Sequence, residues 1–127
     1  MSETDVQTIQ NVYDAFGRGD IPAVMEVFTE DVVFHVPDNL PHAPGANGLE
    51  EVGQFFGRLA STWDEFGVEV ADFVDGGDKV LVRGRGKGKL SGNDVSYGFV
   101  HVFHFRDGKV PHFDEYVAQP EGGFPGA

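Results

Sequence analysis

The hydrophobic periodicity of the chain changes once, near Phe66, and that change sets the class of fold open to it. Before it, apolar residues recur at spacings of three and four, the mark of helices packed by one face; after it they alternate, the mark of strands. Val6, Ile9, Tyr13 and Phe16 make the first helical stripe, stopped by Gly17 and Gly19. Asp20 is placed to cap a short second helix, with Pro22 in its first turn and Ile21, Val24, Met25 and Phe28 as its buried side. Val32 to Val36 reads as a strand, followed by a Pro- and Gly-rich loop from Pro37 to Gly48. The third helix follows from Leu49, with Val52, Phe56, Leu59 and Trp63 on one face.

Beyond Phe66, the turn signals Gly76-Gly77-Asp78, Ser91-Gly92-Asn93-Asp94 and Asp107-Gly108 separate four alternating runs, an antiparallel meander. Helices first and strands afterwards predict an α+β architecture, three N-terminal helices packed on a strongly curved, mostly antiparallel sheet. A chain of 127 residues supports one core, so we expect a single domain over residues 1–118 and a flexible Gly- and Pro-containing tail over residues 119–127.

Charge narrows the partners. Nine Lys plus Arg against twenty-one Asp plus Glu give a net charge of −12, which repels phosphate backbones and anionic lipid, so neither nucleic acid nor membrane is expected. No apolar run is long enough to span a bilayer. The acidic start MSETDVQ lacks the apolar centre of a secretory signal, and a cytoplasmic location is the expectation. Cysteine is absent, which removes thiolate nucleophiles and thiolate metal sites.

Two alternations point to a cavity. In Val80 to Leu90, the cations Arg83, Arg85, Lys87 and Lys89 occupy one face and Val82, Gly84, Gly86 and Gly88 the other. A glycine row weakens a strand, so it calls for sharp curvature or the close approach of another group. In Tyr97 to Phe105, His101 stands mid-row among Tyr97, Phe99, Phe103 and Phe105. On the last strand, Phe113 and Val117 flank Glu115 on one side, with Val110, His112, Asp114 and Tyr116 on the other. A carboxylate among apolar neighbours has its pKa raised by desolvation, which suits a general acid or base, and His101 is its natural partner. Glu115 and His101 are therefore the candidate catalytic pair. His35, on the first strand ahead of the loop, is a third candidate at the pocket mouth, and His42 in the loop is read chiefly as a solvated turn residue.

Other chemistries lack their residues. His101 and His104 have an HxxH spacing, but positions i and i+3 of a strand face opposite sides, so no metal site is expected from them. Ser61, Ser91 and Ser96 lie in no nucleophile-elbow context, and GRGKGK lacks the strand-to-helix setting of a phosphate loop.

Three strings in order, YDAFGRGDIPAVMEVFTEDVVF, LPHAPGANGLEEVGQFF and FVHVFHFRDGKVPHFDEYV, resemble the SnoaL-like branch of the nuclear-transport-factor-two-like superfamily, over roughly residues 5–118. The resemblance implies a cone with an internal pocket between the concave sheet and the helices. Carried over by position, the oxyanion-hole tyrosine of ketosteroid isomerases falls at Val12, their base near Val36 and their acidic donor at His101, which argues against that mechanism. The last-strand aspartate of SnoaL-like cyclases and epoxide hydrolases falls at Glu115, one methylene longer. The Arg and Asp of the epoxide hydrolases fall among the small residues of Gly84 to Gly88, and a terminal YxD string is replaced by Tyr116, Val117 and Ala118.

The resemblance thus implies a cofactor-free isomerase, cyclase, dehydratase or hydrolase acting on a small apolar molecule, or a non-catalytic module that binds such a molecule in the same pocket. The expected lining is Tyr97, Phe99, Phe103, Phe113, Val117, Phe56, Trp63, Tyr13 and Val36. Relatives dimerise through the outer sheet face, which implies a homodimer here through Val100, Val102, Arg83, Arg85, Asp114 and Tyr116.

Overall fold

The protein is described by a computed structural model covering residues 2–125. Helix α1 spans Ser2–Gly17, and its buried residues Ile9, Val12 and Ala15 lie beside the partly buried stripe of Val6, Tyr13 and Phe16. Gly19, with φ of 76°, lets the chain leave the helix. Asp20 caps α2 (Ile21–Met25) by accepting the Ala23 N–H at 3.2 Å. Only Val24 of that helix is buried. Phe28 belongs instead to β1 (Phe28–His35), which begins earlier than its β-branched run indicates because Phe28 pairs with Val110 on another strand.

The loop after β1 contains a two-residue strand, β2 (Ala46–Asn47), paired antiparallel to β1. Helix α3 (Leu49–Thr62) buries Val52, Phe55 and Leu59, with Trp63 buried just past its end. The meander follows as β3 (Glu65–Asp75), β4 (Lys79–Leu90), β5 (Asn93–Arg106) and β6 (Lys109–Ala118). The sheet order is β2-β1-β6-β5-β4-β3, antiparallel throughout except for the parallel pairing of β1 with β6. The helices cover one face of this curved sheet, an α+β arrangement.

The glycine row of β4 has a direct steric cause. A Cβ at Gly88 would stand 1.9 Å from the carbonyl oxygen of Glu65, and one at Gly84 2.4 Å from that of Glu69, so β3 folds over β4 too closely for any side chain. At Gly86 the obstacle is the Tyr97 ring, 2.6 Å away. Backbone thus takes the place of side chains on the concave face, and Tyr97 fills the space. On the opposite face Arg83 pairs with Asp72, Lys87 with Glu69 and Lys89 with Asp94, all exposed.

Val110 departs from the expected alternation of β6: it is fully buried rather than outward, beside the register shift between β5 and β6 near Arg106. The described residues after β6 form no helix or strand, but they are anchored by Phe124, buried with its ring 5.3 Å from that of Tyr97. Among the described residues no helix is long and apolar enough to cross a membrane.

Candidate functional site

Between helices and sheet lies a cavity of about 80 Å³. Strand alternation supplies its floor: Tyr97, Phe99, His101 and Phe103 from β5, and Phe113 and Glu115 from β6. Tyr13, Phe16 and Phe56 close it from α1 and α3. Tyr13, Phe16, Phe56, Phe66, Val68 and His101 are lining residues that stay partly exposed.

One hydrogen-bonded chain crosses this apolar wall. His101 and Glu115 are register partners on adjacent antiparallel strands, which brings His101 Nε2 to 2.9 Å from Glu115 Oε2. The other ring nitrogen, Nδ1, meets the hydroxyl of Tyr13 at 2.5 Å, a contact between α1 and β5. Phe99 stacks on the imidazole with centroids 3.8 Å apart and planes at 10°, so the ring is held on its face as well as at both nitrogens. Burial, with a smaller contribution from the Glu115 charge, pushes the Tyr13 pKa well above its ordinary value. Tyr13 therefore stays a phenol and donates to Nδ1, which leaves the ring proton on Nε2 to be donated to Glu115; this proton placement is assigned from the network. Buried Tyr97 is likewise held protonated, by burial first and by Glu115 second.

His42 is the residue that the sequence reading misplaced most. It is 3% exposed, lines the cavity and accepts the Trp63 Nε1–H at 3.2 Å through Nδ1. Arg58 of α3 pins the loop by donating to the carbonyls of His42 at 3.2 Å and Pro44 at 2.6 Å, which inserts the imidazole between Phe55 and Phe66. Burial lowers its pKa from 6.5 to about 4; Glu115 opposes this, while Arg58 and His101 reinforce it.

His35 does not reach the pocket mouth. Val32, Phe34 and Val36 are the buried positions of that stretch, so the intervening His35 points outward, with its side chain 71% exposed and Nδ1 3.6 Å from Asp114. Trp63, Val36 and Val117 are also absent from the cavity wall: Trp63 and Val36 are core, and Val117 is partly buried beside it. Trp63 acts one layer out, through His42 and through ring contacts with Phe66 and Tyr97.

The profile of the SnoaL-like domain matches residues 9–113. The chain belongs to the SnoaL-like family. Solved structures of the wider NTF2-like superfamily agree. An NTF2-like protein of unknown function from Burkholderia pseudomallei is 28% identical, with 88% of each chain covered and a TM-score of 0.81. Bal32a, from a soil-derived mobile gene cassette, is 25% identical over 91% of this chain and 90% of its own, with a TM-score of 0.83. TerC, co-crystallised with polyporic acid, shares the fold at 22% identity and a TM-score of 0.78, over 88% of this chain and 89% of its own. No curated protein matches the chain. The SnoaL-like cone places a hydroxyl where positional carry-over found none: Val12 is apolar, but Tyr13, one residue on, reaches His101.

Proposed function

We propose that this SnoaL-like protein is a cofactor-free enzyme that moves a proton on a small apolar molecule held in the cone. The observation that carries the reading is the Tyr13–His101–Glu115 chain, a hydrogen-bonded polar line through a cavity walled mostly by aromatic and aliphatic side chains. Both nitrogens of His101 are engaged, so within this hydrogen-bonded chain the groups left to touch a ligand are the Tyr13 hydroxyl and the Glu115 carboxylate. In this reading Glu115 is the general base, accepting a proton from an activated C–H or O–H of the substrate. Tyr13, whose one hydroxyl proton is given to His101 Nδ1 in the ligand-free protein, becomes the donor to a substrate oxygen that gains negative charge by turning that O–H from Nδ1 to the ligand, and His101 is the positioning residue that couples the two. The reaction class is isomerisation, cyclisation, dehydration or hydrolysis. TerC, crystallised with polyporic acid, supports a small organic molecule as the ligand.

A binding or sensing module is the second reading, favoured by the size of the cavity, about 80 Å³ against roughly 300–1,000 Å³ for ordinary ligand sites. The two are separated by Glu115→Gln with a ligand found by soaking or NMR screening of aromatic metabolites. An enzyme keeps binding and loses turnover, because the amide cannot exchange a proton near neutral pH. Turnover that survives the substitution rejects the acid–base role; a ligand bound by both proteins with no turnover in either supports the module. The outer sheet face, where Val33, Val74 and Tyr116 are exposed, supports a homodimer through Val100, Val102 and Tyr116, with Arg83, Arg85 and Asp114 around them.

A further inference from the structure

The convex face of the sheet carries a second cluster of histidines, unconnected with the pocket. His112 and Asp114 are two residues apart on β6 and so share a face. His104 of β5 is the register partner of His112, and His35 of β1 is the register partner of Asp114. Three adjacent strands thereby bring three imidazoles around one carboxylate. The Nε2 atom of His104 lies 3.1 Å from Asp114 Oδ2, that of His112 lies 2.9 Å from Asp114 Oδ1, and the two rings are 4.9 Å apart. The ligand atoms of His104, His112 and Asp114 all fall within 4.8 Å of one another. In the single chain their side chains are 36%, 42% and 16% exposed, which leaves the two imidazoles open to an ion from solvent.

We propose that His104, His112 and Asp114 bind one divalent transition-metal ion of the zinc class, with water completing its shell. Two imidazoles and a carboxylate are ligands of Zn²⁺, Co²⁺ or Ni²⁺, not the all-oxygen set that Mg²⁺ and Ca²⁺ take. Ligand atoms about 2.0–2.2 Å from a tetrahedral centre stand about 3.4 Å from one another. The cluster therefore reaches coordination by small rotations about side-chain bonds, the ring protons moving from Nε2 to Nδ1. The net charge of −12 draws cations toward the molecule. The HxxH spacing within β5 is no guide to this site, since its second ligand comes from across the hairpin rather than from along the strand.

The test uses the tag-free full chain, freed of metal by chelator and titrated with Zn²⁺ by calorimetry and with Co²⁺ by visible absorption. One ion per chain, with a tetrahedral Co²⁺ spectrum, is expected. His104→Ala with His112→Ala should abolish the one-ion-per-chain binding, since it leaves one carboxylate of the three ligands, and His101→Gln, in the pocket, should leave it unchanged. Ring NMR of the wild type guards against a variant that fails to fold: Zn²⁺ should shift the His104 and His112 signals and leave those of His42 and His101 in place. No binding by the wild type, binding that persists in the double variant, or shifts confined to the pocket histidines would each overturn the assignment.

Discussion

Acidification should destabilise the fold through His42, by an amount that the structure allows to be worked out. Its imidazole is buried among aromatic rings and its Nδ1 is the acceptor for Trp63, so protonation both charges an apolar wall and removes that acceptor. The folded pKa of about 4 lies below the value of 6.5 that an unfolded chain shows. Between those two values the unfolded state binds the additional proton, so stability is fully present above pH 6.5 and declines as pH falls toward 4. The full displacement corresponds to about 3 kcal/mol, of which about 2 kcal/mol is lost between pH 7 and pH 4.5. Carboxylates also titrate in this range, so the quantity to measure is a difference between proteins. Urea unfolding of wild type and His42→Asn at both pH values isolates it, because the amide keeps an acceptor near Nδ1 and carries no charge. The wild type should lose about 2 kcal/mol more than the variant. Equal losses in the two proteins, or an NMR titration of the His42 ring centred near 6.5, would refute the reasoning.

Three further outcomes follow from the packing and the surface. Gly88→Ala should cost about 2–3 kcal/mol in urea unfolding, since its Cβ meets the Glu65 carbonyl, whereas Gly67→Ala, with open space around it, should change stability by less than about 0.5 kcal/mol. Tyr13→Phe should cost about 1–2 kcal/mol by removing the donor to His101 Nδ1, and it should lower turnover of any substrate the protein is found to convert. Sedimentation at micromolar protein should show twice the chain mass, and Tyr116→Asp should restore the monomer; a wild type running only at 13.8 kDa would reject the outer-face dimer.

What could be read from the sequence was whatever depends on strand parity and turn chemistry. The alternations of Val80 to Leu90 and of Tyr97 to Phe105, and the turns between them, place the long strands of the sheet correctly. The same parity, along Tyr97 to Phe105 and along Phe113 to Val117, sets His101 and Glu115 on inward faces. What escaped depends on contacts between distant segments. Phe28 joins a strand because β6 pairs with it, which no local pattern of residues 21–28 announces. His42 is buried because Arg58 folds the loop down, and a Pro- and Gly-rich stretch carries no periodicity to reveal that. The spacing of Arg58 on α3 from the loop was the available hint. The His104, His112 and Asp114 cluster is a matter of cross-strand register, invisible until β5 and β6 are paired. His35 was misjudged for want of a parity anchor, which buried Val32, Phe34 and Val36 provide.

The central claim is that Tyr13, His101 and Glu115 act as one proton-coupled array, and the ring of His101 reports on it directly. Nitrogen-15 NMR of the imidazole in wild type and in Glu115→Gln makes the comparison. The wild-type ring should show Nδ1 as an acceptor and a proton fixed on Nε2, and the substitution should disturb that fixed tautomer because the acceptor at Nε2 has lost its charge. Identical ring spectra in the two proteins across the pH range would mean that His101 and Glu115 do not communicate, and the acid–base account of the pocket would be abandoned.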